Sequence, residues 1–262
     1  MTKETVTPVV ILAGGLGTRL GEITDTVPKP MVEIGGRPIV WHIMKHFYAQ
    51  GFNEFVILTG YKSSVIKDFF LNYHSYNTNI QLDFKNKTVK HLNNLDEKWH
   101  VTILDTGLSN STGSRLRQAS TYLKEYPSFF LTYGDGLIQA NFGEYETLLT
   151  NSKIDAIVTA VNSPGRYGKL ELESKLDRVI DFDEKPAGDW INGGYFLLRA
   201  EVLDLLPSGD FQFEKDFLPE YVKSHYVYGM KHSGFWKSID TPTDLKFVNQ
   251  IWDSGEVPWK NW

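Results

Sequence analysis

The sequence contains no cysteine, no long apolar run and no surplus of basic residues. Without cysteine, the chain can form neither disulfides nor thiolate metal sites. No apolar stretch approaches the length that crosses a bilayer, and the polar N-terminus is unlike a signal peptide. We therefore expect a cytoplasmic protein that does not bind membranes.

The charge balance argues against a nucleic acid as partner. The formal net charge is −5, and lysine is mixed with aspartate and glutamate rather than gathered in a basic stripe. Such a stripe is needed to neutralise a phosphate backbone. An anionic ligand would have to be bound by a few placed cations and by backbone N–H groups. Apolar residues make up 41% of the chain, which is enough for a sizeable core.

Short apolar runs alternate with helical spacing through the first half of the chain. The runs at residues 9–13, 55–58, 101–104 and 128–132 are typical of buried strands. Apolar residues at helical spacing predict helices over residues 39–47, 63–73 and 112–124. This alternation predicts an α/β fold with a mostly parallel, Rossmann-like mixed sheet flanked by helices.

The second half of the chain has shorter runs, which predict a smaller part for substrate binding and oligomerisation. Residues 157–161 continue the strand pattern, 169–173 and 179–183 predict antiparallel strands, and 243–252 predict a closing helix. Residues 86–100 predict an irregular excursion or a small hairpin. Because no repeat or linker interrupts the chain, we expect one domain over residues 1–262. Its parts are a nucleotide-binding half at about 8–136, a sugar-phosphate-binding half at about 137–242, and a C-terminal helix and tail at 243–262.

A glycine-rich segment, Leu12-Ala13-Gly14-Gly15-Leu16-Gly17-Thr18-Arg19-Leu20, directly follows the first predicted strand. Glycines let the backbone approach phosphates and turn its N–H groups toward them, while Arg19 adds a planar cation. A P-loop would need a lysine after Gly17, and a dinucleotide fingerprint would need Gly or Ala where Leu20 stands. The segment therefore predicts a phosphate-binding loop of another kind, with a simple chain-reversing turn as the alternative.

Two further positions carry charges suited to a polyanionic ligand. Lys29 lies between Pro28 and Pro30, which restrict the backbone around it, although an ordinary solvated lysine would look the same. Asp135 follows the strand at 128–132, at the edge where ligands of open α/β sheets bind. A lone aspartate in such a place often caps a helix or turn instead.

Taken together, these segments resemble the sugar nucleotidyltransferases. Residues 12–20 and 29–39 look like the signature of that family. Later segments resemble its glucose-1-phosphate cytidylyltransferase branch, namely residues 59–62, 105–107, 112–113, 133–136, 192–196 and 258–260.

The resemblance implies transfer of CMP from CTP to a sugar 1-phosphate, with glucose 1-phosphate as the expected acceptor and Mg²⁺ as cofactor. It also implies a homo-oligomer, an expectation to which the three tryptophans at 252–262 add, since a short tail could hardly bury them within its own fold. By resemblance, the nucleotide-binding residues are Leu12, Ala13, Gly14, Gly15, Thr18, Arg19, Lys29, Thr112, Gly113 and Arg115. The sugar-phosphate-binding residues are Gly168, Glu184, Lys185, Asn192 and Gly193. Asp135 and Asp240 are the expected metal ligands, and Arg19, Lys29, Asp135 and Lys185 the catalytic residues.

Two alternatives remain open. Segments around the expected sugar site, at 165–169, 186–191 and 214–218, depart from the cytidylyltransferase pattern, so UTP or another phosphorylated acceptor stays possible. A non-catalytic nucleotide-sugar sensor could share the fold. The sensor is disfavoured because all five charged positions are present, namely Arg19, Lys29, Asp135, Lys185 and Asp240.

Overall fold

A computed structural model describes residues 6–162, 169–172, 179–183 and 189–262. The strands are β1 Val9–Ala13, β2 Glu33–Ile34, β3 Arg37–Pro38, β4 Glu54–Thr59, β5 Ile80–Asp83, β6 Thr88–His91, β7 His100–Asp105, β8 Ser128–Tyr133, β9 Gly136–Ile138, β10 Ala156–Asn162, β11 Lys169–Leu172, β12 Val179–Asp183, β13 Trp190–Arg199, β14 Val227–His232 and β15 Trp236–Ser238. The α-helices are α1 Ile23–Thr26, α2 Ile39–Tyr48, α3 Ser63–Asn77, α4 Thr112–Gln118, α5 Ser120–Leu123, α6 Phe142–Thr150, α7 Leu218–Ser224 and α8 Pro242–Ser254.

Seven strands form the main sheet in the order β14-β10-β13-β8-β1-β4-β7. β1 runs parallel to β4 and β8, and β7 and β14 are parallel to their neighbours β4 and β10. β13 runs antiparallel to both β8 and β10. The predicted mostly parallel mixed sheet is confirmed, and it draws strands from both halves of the chain. The chain moves from β1 outward to β4 and β7 and then returns to β8 on the other side, which opens a crevice at the carboxyl ends of β1 and β8.

The sheet is covered on both faces, which explains the unbroken apolar runs in its strands. Val9 and Ile11 pack into one core with residues of α2, α3, α6 and α8. Val10 and Leu12 point the other way and pack with residues of α4, α5 and α7. Successive side chains of a strand point to opposite faces, so a strand buried on both sides must be apolar throughout.

α2 and α8 are bounded by local sequence signals, whereas α3 extends to Asn77, four residues beyond its predicted end. α2 follows Pro38, and the chain turns away at Gly51, whose φ of 95° lies in the left-handed region that glycine tolerates. α8 begins with a capping box in which the Thr241 side chain accepts a hydrogen bond from the Asp244 backbone and the Asp244 carboxylate accepts one from the Thr241 backbone. Gly255, with φ of 80°, ends α8.

Other predictions needed correction or refinement. The helix predicted over 112–124 is divided at Ala119, whose N–H bonds the Leu116 carbonyl in a tighter i→i+3 turn. For residues 86–100, the alternative of a small hairpin is the correct one, since β6 pairs antiparallel with β5, which begins before that region. The short strands β11 and β12 pair antiparallel, as predicted. In the described part of the chain, no helix combines the length and the apolar character needed to cross a membrane.

The three tryptophans of the C-terminal tail pack against this chain's own core, Trp259 fully and Trp252 and Trp262 in part, so their burial does not require another subunit and the expected assembly stays a prediction. Trp259 is only 1% exposed, and its indole N–H donates to His42 Nδ1 at 3.3 Å, while His42 Nε2 contacts the Ile34 carbonyl at 2.9 Å. His46, one turn further along α2, contacts Asn261 Oδ1 at 3.1 Å. The two histidines thus clamp the tail onto α2.

This clamp predicts that the protein loses stability in acid. Burial lowers the pKa of His42 to about 4 and also lowers the pKa of His46. Both histidines are therefore neutral in the fold but take up protons near pH 6.5 once unfolded, so their contribution is complete above pH 6.5 and is lost as pH falls toward 4. For His42 the loss reaches about 3 kcal/mol by pH 4. Denaturant unfolding at several pH values between 7.5 and 4.5 measures this loss of stability.

Two variants separate this contribution from general acid denaturation. His42→Gln should lower stability at pH 7.5 and flatten its pH dependence, because the titrating group is gone. His100→Gln, at an exposed histidine, should keep the wild-type pH dependence. An unchanged pH profile in His42→Gln would contradict the prediction.

Candidate active site

A cleft of about 470 Å³ opens at the carboxyl ends of β1 and β8. Most of the predicted nucleotide-binding and catalytic residues line it, namely Leu12, Ala13, Gly14, Gly15, Thr18, Arg19, Lys29, Thr112, Arg115 and Asp135. Gly113 lies behind the cleft wall, where its N–H donates to the Phe211 carbonyl. A second cavity, of about 590 Å³, lies between α3 and β7 and contains none of the predicted residues.

The glycine-rich loop has specific reasons for its glycines. Gly17 adopts φ of 67°, a left-handed conformation that starts the short 3-10 turn Thr18–Leu20. Gly14 lies directly on the guanidinium of Arg115, since a Cβ added at Gly14 would stand 2.2 Å from Arg115 Cζ. Gly15 faces open space. The loop is therefore shaped by close packing beneath it and leaves Gly15 and Arg19 exposed toward the cleft.

Arg115 is a buried cation beneath this loop, only 4% exposed. Its Nη1 donates to the Thr59 carbonyl at 3.0 Å, to Thr106 Oγ1 at 2.7 Å and to the Gly107 carbonyl at 2.7 Å. Its Nη2 donates to the carbonyls of Gly14 at 3.0 Å and Leu108 at 3.2 Å. Burial lowers the pKa of the guanidinium, although the nearby carboxylates of Asp105 and Asp210 offset part of that effect.

A cluster of four charges lies at the other end of the cleft. Lys29 Nζ donates to Asp135 Oδ2 and to Asp240 Oδ1, each at 2.7 Å, and Arg19 Nη2 lies 3.1 Å from Asp240 Oδ1. The Lys29 side chain is 9% exposed, while that of Arg19 is 70% exposed. Burial would raise the pKa of Asp240, but hydrogen bonding and charge from Lys29 and the charge of Arg19 outweigh burial and lower it. Asp240 is therefore anionic at neutral pH.

Two local structures bring together carboxylates that are 105 positions apart in the sequence. β9 and β15 pair antiparallel with Gly136 opposite Ser238, so Asp135 and Asp240 lie just beyond the same end of this ribbon. Asp240 also precedes the capping box of α8, and its N–H donates to Asp244 Oδ2 at 3.1 Å. Asp135 and Asp240 therefore meet around Lys29, and their expected pairing as metal ligands stays a prediction.

The sequence analysis missed a carboxylate inside the cleft. Glu214 lies in a single π-helical turn, Phe213–Phe217, and accepts hydrogen bonds from Thr112 Oγ1 at 2.8 Å and from the Tyr133 hydroxyl. Burial and the Glu214 charge raise the pKa of Tyr133, so its hydroxyl stays protonated. Glu214 is separated by 102 positions from Thr112, so no local pattern could reveal the contact, although π-turns are frequent at functional sites.

Of the predicted sugar-phosphate residues, Asn192 and Gly193 are described, and both lie on β13. Asn192 lies beside the Tyr133 hydroxyl, whose pKa it acts to lower, and its side-chain oxygen accepts a hydrogen bond from the Gly194 N–H at 2.8 Å. Gly193 is packed tightly, since an added Cβ would stand 2.9 Å from Val161, and its carbonyl accepts a hydrogen bond from Trp236 Nε1. Gly168, Glu184 and Lys185 lie outside the described residues.

Comparison with known proteins identifies the family. The model of the family described as nucleotidyl transferase matches residues 8–253. The chain belongs to the nucleotidyl transferase family. It is 39% identical to the glucose-1-phosphate cytidylyltransferase of Salmonella typhi, over 97% of this chain and 98% of that protein. It is also 39% identical to a probable glucose-1-phosphate cytidylyltransferase of Bacillus subtilis, over 97% and 99% of the two chains.

Solved structures agree with this membership of the nucleotidyl transferases. The crystal structure of HddC from Yersinia pseudotuberculosis complexed with GMP-PN matches with a TM-score of 0.68 and 25% identity, over 94% of this chain and all of that chain. For a nucleotidyl transferase, a glycine loop and the two cations Arg19 and Lys29 at one sheet edge have a direct use, because the substrates carry several negative charges.

The packing beneath the loop predicts that alanine lowers the stability of the protein at Gly14 but not at Gly15. Gly14→Ala should lower the free energy of unfolding by about 1–3 kcal/mol, because the new methyl group must displace the Arg115 guanidinium. Gly15→Ala is the matched control, where an added Cβ meets nothing within 4 Å, and its stability should stay within about 0.5 kcal/mol of wild type. Denaturant titration measures both variants. Equal free energies of unfolding for Gly14→Ala and Gly15→Ala would contradict close packing of Gly14 against Arg115.

Proposed function

We propose that this protein transfers CMP from CTP to a sugar 1-phosphate, in particular α-D-glucose 1-phosphate, and releases pyrophosphate. The observation that carries the proposal is the cleft itself, in which a glycine-rich phosphate loop faces the cluster of Lys29, Asp135 and Asp240. The choice of CTP and glucose 1-phosphate is supported by the relatives from Salmonella typhi and Bacillus subtilis, which match over almost their full length.

The reaction requires little covalent help from the protein. An oxygen of the sugar phosphate attacks the α-phosphorus of CTP, and the bond between that phosphorus and the pyrophosphate oxygen breaks. The attacking phosphate is already anionic at neutral pH, so no general base is needed. The barrier lies in bringing two polyanions together in line and in stabilising the charge that develops on the leaving pyrophosphate. Arg19, exposed at the cleft, and Lys29 would supply that stabilisation.

Mg²⁺ is part of this proposal, and the residues present suit it. Asp135 and Asp240 present carboxylate oxygens to a single point, and Mg²⁺ in nucleotide sites is usually bound by one or two carboxylates together with substrate phosphates and water. Asp135 and Asp240 would hold the ion, which, when bound, supplies charge neutralisation on the phosphates. In this structure the Lys29 ammonium bonds both carboxylates, which shows that the two side chains can share a cation.

The two halves of the cleft would divide recognition between them. The loop and Lys29 would bind the triphosphate, with Thr112 and Gly113 near the base. Asn192 and Gly193, together with Gly168, Glu184 and Lys185, would bind the sugar phosphate, with Lys185 orienting it. The second candidate function is the same reaction with UTP or another phosphorylated acceptor. The crystal structure of HddC, to which this chain is similar, is complexed with a different nucleotide, GMP-PN. A non-catalytic sensor is disfavoured by the complete charge cluster.

The experiment that tests this function measures pyrophosphate release with each of the four nucleoside triphosphates, Mg²⁺ and glucose 1-phosphate. We expect CTP to be turned over in clear preference to UTP, because a site that bonds an amino group leaves polar atoms unpaired when a carbonyl replaces it. Equal turnover of UTP would reject the base assignment. Absence of pyrophosphate with any nucleotide and any of several sugar 1-phosphates would favour the sensor instead.

Asp135→Asn and Asp240→Asn serve as internal controls for that assay. Each keeps the side-chain size but loses the negative charge that would hold Mg²⁺, so kcat should fall by about a hundredfold to a thousandfold. If these residues only cap turns, asparagine should replace them well and turnover should be nearly normal. A variant that keeps more than about half of wild-type kcat at saturating CTP and Mg²⁺ would remove that residue from the proposed metal site.

We further propose that the protein acts in the cytoplasm, where nucleoside triphosphates are available, and that it assembles with copies of itself. Support for assembly comes from the β5–β6 hairpin, which stands away from the core. Leu82 and Val89 are paired opposite each other, with Ile80 on the same face, and all three are exposed. An isolated two-stranded hairpin is marginally stable in water, and an exposed apolar face of this kind is typical of an interface.

The proposed assembly predicts different results for the two faces of the hairpin. Leu82→Asp should dissociate the oligomer, because it places a charge in the apolar face that would be buried between subunits. Gln81→Asp adds the same charge to the adjacent position on the opposite face and should leave the mass unchanged. Light scattering at micromolar concentration measures both. A monomeric wild-type protein would reject the assembly, and dissociation by both variants would reject this face.

A further inference from the structure

The buried guanidinium of Arg115 connects three loops that follow three neighbouring strands. Its partners are the Gly14 carbonyl after β1, the Thr59 carbonyl at the end of β4, and groups of residues 106–108 after β7. The same loops are also bonded to one another, because Tyr61 N–H donates to the Gly14 carbonyl and Thr106 N–H donates to the Thr59 carbonyl. Arg115 thus lies at the point where the carboxyl edge of half the sheet is joined.

The sequence leaves room for this cation by having no side chain on either side of it. A Cβ on Gly14 would stand 2.2 Å from Arg115 Cζ and Nη1, and a Cβ on Gly60 would stand 2.4 Å from Nη1. Neither glycine has a positive φ, so backbone conformation does not require glycine at these positions. Glycine is required at both positions because a side chain there would collide with Arg115. Two glycines of the cleft are therefore explained by contact with this one side chain.

The two terminal nitrogens of Arg115, although they lie at the floor of the cleft, are already bonded to oxygens of the protein. Nη1 and Nη2 together carry four N–H groups, and five oxygen acceptors surround them. To reach a nucleotide, the guanidinium would have to abandon buried carbonyls, and each buried group left without a partner is costly. Arg115 is therefore fixed beneath the glycine loop before any ligand arrives.

We propose that Arg115 is a positioning residue, which holds the Gly14 carbonyl down so that the loop's N–H groups face the triphosphate, and that it makes no contact with the nucleotide base. The inference rests on the proposed function for the identity of the nucleotide only. It revises the expected role of Arg115 from a ligand-binding residue to a support of the phosphate-binding loop.

A pair of probes separates support of the loop from contact with the base. Inorganic tripolyphosphate carries the phosphates of CTP without its base or ribose. In Arg115→Lys, the single ammonium cannot bridge all three loops, so calorimetry should show the affinities for CTP and for tripolyphosphate falling by the same factor, about tenfold to a hundredfold. If CTP affinity falls while tripolyphosphate affinity is unchanged, Arg115 contacts the base and the proposal is overturned. Unchanged affinity for both overturns it as well.

Arg199, which is half-buried, provides a control for the loss of a guanidinium that bonds backbone carbonyls. Its guanidinium also donates to backbone carbonyls, those of Ile154 at 2.8 Å, Leu149 at 2.7 Å and Ser152 at 3.2 Å, but it is not among the residues lining the cleft. Arg199→Lys should lower the melting temperature while leaving both affinities at the wild-type value. If Arg199→Lys weakens tripolyphosphate binding as much as Arg115→Lys does, general destabilisation explains the result and the proposal fails.

Thr106→Val keeps the test decisive if Arg115→Lys does not fold. This substitution preserves the shape of the side chain but removes the hydroxyl that accepts from Arg115 and donates to the Thr59 carbonyl at 2.6 Å. We expect a loss of several-fold in both affinities, again by an equal factor, and an unequal loss or no loss rejects the proposal. If wild-type protein binds tripolyphosphate but not CTP, the proposed nucleotide is wrong, and the equal-factor test applies to the triphosphate that does bind. If it binds neither, both proposals fall.

Discussion

The buried ammonium of Lys29 is the interaction on which the arrangement of the cleft depends. Two carboxylates at this depth would repel each other, and each would lose its hydration, unless a cation stood between them. Lys29 bonds both at 2.7 Å. This contact requires the end of β8, the start of α8 and the turn at Lys29–Met31 to meet. The β9–β15 ribbon and the capping box of α8 hold the two carboxylates where Lys29 can bond both.

The position of Lys29 itself follows from close packing along the chain. A Cβ on Gly134 would stand 2.7 Å from Pro30 Cγ, so the residue before Asp135 must be small for the Lys29 segment to lie against it. Arg19 completes the cluster from the exposed glycine loop. The two cations therefore differ, because Lys29 is buried and fixed by two half-buried carboxylates, while the Arg19 side chain is largely hydrated and free to follow a ligand phosphate.

Sequence patterns were sufficient where the signal is local. The apolar run of β1, the Pro and Gly at the ends of α2 and the Thr241 cap of α8 each contain within a few residues the chemistry that forms them, and the pairing of Asp135 with Asp240 came from family resemblance. Patterns failed where the partner is distant. Glu214 meets Tyr133 and Thr112 only after folding, and Trp259 finds His42 from 217 positions away, so neither the extra carboxylate nor the buried tail could be inferred from the sequence alone.

The tail and the ionic cluster are connected through α8. Asp240 lies two residues before the start of this helix, and Trp259 and Asn261, after its end, are held on α2 by His42 and His46. Trp252, near the helix end, also packs against Gly35, where an added Cβ would stand 1.9 Å from the indole. Because both ends of α8 are fixed, the helix cannot shift without disturbing either the cap beside Asp240 or the tryptophan packing. The tail thus helps to set the position of a charged residue in the cleft, although it contributes no atom to the charge cluster.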